Sequence, residues 1–420
     1  MVSSSTIAAI PGGAGTASPK AYSIAWVKSA EEIAPDLWAR CFPPPVEGLW
    51  WYRAFERAGV EDQFSFAYAV IARDGIAVGI APTFQMNLSL DIVLPDEIAP
   101  IVRFIGRVIP ALRYQRTFFV GSPTSEEGTI GLIPGVALGD VLPALVPAVE
   151  ARASANRMDM IVWKDVPEAA RPDFEAIETS ARLFPTPSFP GTEIHSLPAN
   201  FEGYLKGLSG NHRYQLKKKL KLSRAALDVE CAVMQAPDAT VQAEIWSLFQ
   251  QTYERAETRF EQLTPAFFAE LALVPTTHFI VLRRRGRGGE RGAMVAFMLC
   301  YLEAGLATNK FIGLDYTLGD KVFLYFRLFE EFVVWATSAG ATRLRSGQTG
   351  YRAKFDLEHE PAPLTNFAQH RSKIMHWIYA KVGRSITWST LDPDLKTYVE
   401  TRAKKGKVLA QEGVGSETGR

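Results

Sequence analysis

The order of secondary structure implied by this sequence occurs twice, which leaves the chain few architectures. Residues 64–72 read as a strand, Arg73-Asp74-Gly75 as a turn and residues 76–86 as the returning strand. In the second half, residues 278–283, the Arg/Gly run 284–292 and residues 293–302 make the same hairpin. Two similar strand ends follow, Phe119-Val120-Gly121 and Phe311-Ile312-Gly313. Each leads to a helix candidate, 141–155 and 321–338, and then to a strand, 158–164 and 342–347. A short extended stretch is expected to close each half, 185–197 in the first and 363–369 in the second. This order predicts an α/β chain of two tandem units. Each is a mixed twisted sheet flanked by helices, with a right-handed β-α-β crossover at its centre.

The second helix candidate sharpens the picture. Val322, Phe323, Leu324, Phe326, Leu328, Phe329, Phe332, Val333 and Trp335 cover most of its circumference, and only Arg327, Glu330 and Glu331 give it a polar edge. Such a helix is buried on more than one side, which places it at the junction of the two sheets. The chain of 420 residues, 47% apolar with 25 Phe, 13 Tyr and 9 Trp, exceeds one ordinary core. The expected divisions are a tail over 1–20, a first domain over 21–198, a second and catalytic domain over 199–385, an extension over 386–403 and a tail over 404–420.

Charge excludes some functions. Charged residues make up 22% and the net charge is +1, so no global field draws the chain to DNA or membrane, and any basic attraction is local. Cys41, Cys231 and Cys300 are too far apart for a zinc site or disulfide framework and are expected in the core, in a reducing compartment. The most apolar long stretch, 131–149, contains Pro134, Asp140, Pro143 and Pro147, which a bilayer span tolerates poorly. A soluble cytoplasmic protein is expected. The spacing of His359, His370 and His376 matches no metal motif, so no metal is expected, and Walker A, HExxH, GxSxG and CxxC patterns do not occur.

Three segments could carry chemistry. Residues 313–321 join a strand to the apolar helix; free N–H groups at a helix start, with Gly319 and Lys321, suit a pyrophosphate. The alternative is an ordinary loop in which Asp320 caps the helix. Residues 345–354 bracket Gln348 and Thr349 between glycines and follow them with Tyr351, Arg352 and Lys354. A buried Tyr can protonate a leaving thiolate and a cation can hold a carboxylate or phosphate, but a polar turn would look the same. In residues 211–224, Arg213, Lys217, Lys221 and Arg224 share one helix face, either simply solvated or set against a phosphate-bearing substrate.

The second half resembles bacterial GNAT-superfamily acyltransferases of the CelD-like group associated with exopolysaccharide and cellulose loci, and the related FemABX peptidyltransferases. The resemblance rests on residues 201–213, Lys310-Phe-Ile-Gly-Leu-Asp-Tyr316, Leu324-Tyr-Phe326, residues 347–354 and Pro363-Leu-Thr-Asn366, and covers about residues 195–375. It implies two GNAT-like domains and transfer of an acyl group from a thioester, acyl-CoA or acyl-carrier protein, to an amine or hydroxyl, including a glycan acceptor. The thioester is a co-substrate; no permanently bound cofactor is implied. Tyr351 is then the acid or substrate anchor and Asp315 the base or orienter. Gly319 and Lys321 hold the phosphate end, and Gln348, Lys354, Arg213 and Asn309 contact substrate. The 318–321 loop has one Gly and an acidic Asp320 where the GNAT loop has Q/R-x-x-G-x-G/A, so the donor stays open. Aminoacyl-tRNA, as in FemABX relatives, is the alternative donor, and a non-catalytic GNAT-fold scaffold the alternative class.

Overall fold

The computed structural model describes residues 22–89, 104, 107, 114–256, 260–286 and 291–414, with side chains as far as residue 404. The tail expected over 1–20 and part of the 284–292 turn lie outside the described residues. In the first half, β1 (Tyr22–Val27), β2 (Ser65–Arg73), β3 (Ile76–Ser89) and β4 (Tyr114–Val120) are joined by β5 (Gly131–Leu132), β6 (Met160–Pro167), β7 (Phe184–Pro187) and β8 (Gly191–Ile194). The second half contributes β9 (Val229–Met234), β10 (Thr277–Arg284), β11 (Met294–Glu303), β12 (Leu306–Leu314), β13 (Arg343–Ser346), β14 (Glu360–Ala362) and β15 (Leu364–His370).

Both expected hairpins form, β2–β3 and β10–β11, and both crossovers carry a helix between parallel strands. The first runs from β4 through Leu138–Ala155 to β6, the second from β12 through Leu324–Ser338 to β13. The fold is the expected α/β pair of mixed sheets flanked by helices.

The closing strands differ from expectation. Sheet A runs β1-β2-β3-β4-β6-β15-β7 with β5 on β3, and sheet B runs β14-β8-β13-β12-β11-β10-β9. The stretch expected to close the first half divides: β7 stays in sheet A, while β8 enters sheet B between β13 and β14. In exchange β15, from the second half, enters sheet A between β6 and β7. Alternating apolar residues qualify a segment as a strand but name no partner.

The apolar helix Leu324–Ser338 is buried on two sides, but not between the sheets. It packs on β10, β11 and β12 with one face and on the helices Phe201–Gly207 and Gly210–Ala226 with another. Tyr204, Leu216 and Leu220 join Leu328, Phe332, Ile280 and Met298 in that core. Three other helices cement the halves, Leu49–Glu56, Ala239–Arg255 and Pro265–Ala272, where Trp51, Phe55, Phe249, Phe267 and Phe268 pack with Phe297 of sheet B and Phe84 of sheet A. A glycine permits one close approach: a Cβ at Gly313 would lie 2.3 Å from the Phe297 ring and 2.7 Å from the main chain of Leu248. Cys41 and Cys300 are buried as expected, whereas Cys231 is exposed because β9 is the edge strand of sheet B. The last helix, Pro393–Val414, extends into the segment left without an element, since Lys, Leu, Ala, Gln and Glu there are good helix formers.

Candidate functional site

In each sheet the two parallel strands part where a charged residue interrupts an apolar run. β12 pairs with β13 only from Leu306–Arg343 to Asn309–Ser346, then continues to Leu314 alone on that side. The register between β11 and β12 shifts here, with Leu299 opposite Phe311 and Cys300 opposite Asn309, so Lys310 is the extra residue of a β-bulge. Sheet A repeats the device. β4 and β6 pair from Thr117–Met160 to Val120–Trp163, and beyond that a shift against β15 sets Lys164 and Asp165 opposite Asn366. Asp165 takes a positive φ of 54°. The loop after β4 presses on this point: the Gly128 N–H donates to Asp165 O at 2.7 Å, and a Cβ on Gly128 would lie 1.6 Å from Lys164 O.

Both parting points open on one cavity of about 450 Å³. Its polar end is formed by Glu126, Lys164, Asp165, Glu261, Lys310 and Gln348. Apolar side chains also line it, among them Phe119, Val162, Phe184 and Ala368 of sheet A and Tyr379 and Val382 of the helix Lys373–Gly383. Lys310 Nζ pairs with Glu126 Oε1 at 2.5 Å and lies 3.7 Å from Glu47 Oε1, all three side chains being almost fully buried. Glu47 also accepts from Tyr301 Oη at 2.9 Å and from the Glu126 N–H at 3.0 Å. Lys164 pairs with Asp165, whose Oδ1 accepts from Ser188 Oγ at 2.5 Å. Burial pushes the Glu261 carboxyl up to about 7, against the pull of Lys164 and Lys310. Three buried atoms on the walls, Gln348 Nε2, Thr124 Oγ1 and Tyr379 Oη, have no hydrogen-bond partner among the described residues.

The residues singled out in the sequence divide around this cavity. Gln348 lines it. Lys354 sits just behind, its ammonium donating to the carbonyls of Gly347 and, at 3.3 Å, Gln348. Burial, opposed by Glu126 and reinforced by Lys310, brings that amine down to about 7. Asn309 Nδ2 donates to Ser346 Oγ at 2.6 Å, and Ser346 Oγ meets His359 Nε2 at 3.0 Å. Ser346 is fully buried and burial holds His359 down to about 3, so this trio pins the β12–β13 junction.

Tyr351, expected as the acid or substrate anchor, lies behind the site. It is fully buried outside the cavity lining, its hydroxyl donates to Pro190 O at 2.9 Å, and its ring stacks with Phe355. Burial pushes its pKa far up, which keeps the hydroxyl protonated. Asp315 also stays outside the lining, capping a short turn by accepting from Thr317 N at 3.0 Å and Thr317 Oγ1 at 2.6 Å. Gly319 and Lys321 are exposed, and the helix begins only at Leu324, after a turn of 3-10 helix and Phe323 in the left-handed region at φ 53°. Phe323 takes the N-cap position, so Asp320 does not cap the helix. Arg213 lies away from the cavity on the helix Gly210–Ala226, donating to Lys206 O at 3.2 Å.

Sequence reasoning missed Glu126, Lys164, Asp165, Glu261 and Lys310. The signal for two of them was a lysine inside an apolar strand, Ile161-Val162-Trp163-Lys164 and Asn309-Lys310-Phe311-Ile312. Among the described residues no cluster of His, Cys, Asp and Glu could hold a metal.

No family model matches the sequence, and no curated protein matches it. Solved structures do. The chain superposes on FemX with a TM-score of 0.54 at 10% identity, over 82% of this chain and 98% of FemX. A conserved protein of unknown function from Bacteroides thetaiotaomicron gives 0.50 at 14% identity, over 82% and 99%. At such identities the likeness is one of fold: the two mixed sheets and their helices share the FemX fold.

Proposed function

We propose that the protein is an acyltransferase whose reaction takes place at the polar end of the cavity. The carrying observation is that both parallel strand pairs part at one site, lined by the carboxyl of Glu261, which titrates near neutrality. In this reading an acyl thioester, on CoA or an acyl-carrier protein, places its carbonyl beside β12 where β13 has left it, so main-chain donors can polarise the carbonyl. Glu261 takes the proton from an acceptor amine or hydroxyl, whose lone pair attacks the carbonyl carbon. The C–S bond then breaks and the thiolate leaves beside the ammonium of Lys310. Gln348 Nε2 and Thr124 Oγ1, without a hydrogen-bond partner among the described residues, are places for substrate oxygens.

A second donor, an aminoacyl ester as on tRNA, is favoured by one observation: the loop expected to hold a pyrophosphate, with Gly319 and Lys321, does not line the cavity. The test is thiol release from acetyl-CoA and from an acyl-carrier protein thioester, beside aminoacyl transfer from charged tRNA, with wild type and Glu261→Gln. Turnover of one donor should fall by about 10²- to 10⁴-fold in the variant with its melting temperature retained. Equal turnover in both proteins would remove Glu261 from the reaction, and no turnover of any donor would contradict the acyltransferase reading.

A further inference from the structure

The helix Lys373–Gly383 has two working faces. Inward, Tyr379, Val382 and Gly383 form part of the cavity wall. Outward, Ile374, Trp377 and Ile378 are 72%, 64% and 37% exposed. Their spacing of three and four residues makes them one continuous apolar strip, not scattered surface residues. Cations frame the strip: Arg371, Lys373, Lys381 and Arg384 are all exposed, and no Asp or Glu occurs from 371 to 384. Lys381 Nζ lies 5.5 Å from the centre of the Trp377 ring, so charge and apolar surface are interleaved.

We infer that this helix is a docking surface for an anionic bilayer, lying flat with Ile374, Trp377 and Ile378 at the level of the headgroups. An apolar strip between lysines and arginines suits that boundary: the side chains enter the acyl region, the cations meet lipid phosphates, and tryptophan favours the interface. A protein partner would need acidic groups against four cations and would gain nothing from the cavity behind the helix. A membrane would lie against the element that walls the cavity, within reach of a chain-bearing lipid. The other basic helix, Gly210–Ala226, lacks the strip. Its exposed Tyr214 and Leu222 are eight residues apart, and Lys219 and Arg224 are paired with Asp356 and Glu330. The docking surface does not depend on the proposed reaction.

Co-sedimentation of the full chain with vesicles tests this. Phosphatidylcholine vesicles should leave the protein in solution; with about one-third phosphatidylglycerol they should pellet it, less so at high salt. Ile374→Asp with Trp377→Asp should cut partitioning by about tenfold or more, and Lys373→Glu with Lys381→Glu should remove its dependence on the anionic lipid. Both pairs are exposed, so melting temperatures should hold. Failure to pellet with anionic vesicles, or equal binding by the variants, overturns the inference. So does a wild-type dimer, measured by light scattering, that the same substitutions dissociate and that shields the strip from vesicles.

Discussion

Burial decides what each ionisable group around the cavity can do. Lys310 sits between Glu126 and Glu47 with almost no access to water, so removing its charge strands two carboxylates. Lys310→Met is expected to cost about 3–5 kcal/mol, read as a fall in denaturation midpoint, and Glu126→Gln in the same chain should restore part of the loss. Tyr351→Phe should cost only about 0.5–1.5 kcal/mol, for the hydrogen bond to Pro190 O, and leave turnover unchanged; a collapse in turnover would return Tyr351 to the mechanism. Lys354 gives a pH effect with a definite sign. Its amine is brought from 10.5 to about 7 in the folded protein. Between those values the unfolded chain binds the extra proton, so stability contributed by this group rises with pH over that range. Lys354→Met should flatten the rise in melting temperature between neutral and alkaline pH, and an unchanged slope would assign it to other groups. At this scale the sequence drew attention to the turn that places Gln348 on the cavity wall and Lys354 behind it, because polar residues crowd it between apolar elements. Glu261 was not, since its character comes from walls contributed by distant segments.

Elements were more legible than their partners. Both hairpins, both crossover helices and all four parallel strands could be read from apolar patterning, because those strands and helices bury a face whichever sheet they join. The exchange of β8 and β15 could not, since register and partner depend on contacts more than a hundred residues apart. The start of the helix Leu324–Ser338 was misplaced for a local reason: Phe323 adopts a left-handed conformation that patterning does not report. One consequence is measurable. Lys321 is exposed and outside the cavity lining, so Lys321→Glu should leave donor affinity within about twofold. A loss of about tenfold or more, the worth of a charge-assisted contact, would restore the pyrophosphate loop.

For the whole molecule, the strand exchange turns two units into one folding problem. A boundary near residue 198 leaves sheet B's β8 on the first fragment and sheet A's β15 on the second. The shared aromatic core of Trp51, Phe55, Phe267 and Phe268 would be opened as well. Residues 22–198 and 199–414 expressed apart should therefore be insoluble or lack a cooperative transition, and should recover solubility when expressed together. Two fragments that each unfold cooperatively alone would show that the exchanged strands are dispensable.

The most direct test of the central claim is the pH dependence of single-turnover acyl transfer. A base with a carboxyl titrating near 7 works only when deprotonated, so the rate should climb as pH rises through about 7 and then level off. In Glu261→Gln the same limb should vanish, leaving a low rate without that inflection. A wild-type profile without the inflection, or one that persists in the variant, would contradict the placement of the reaction at Glu261.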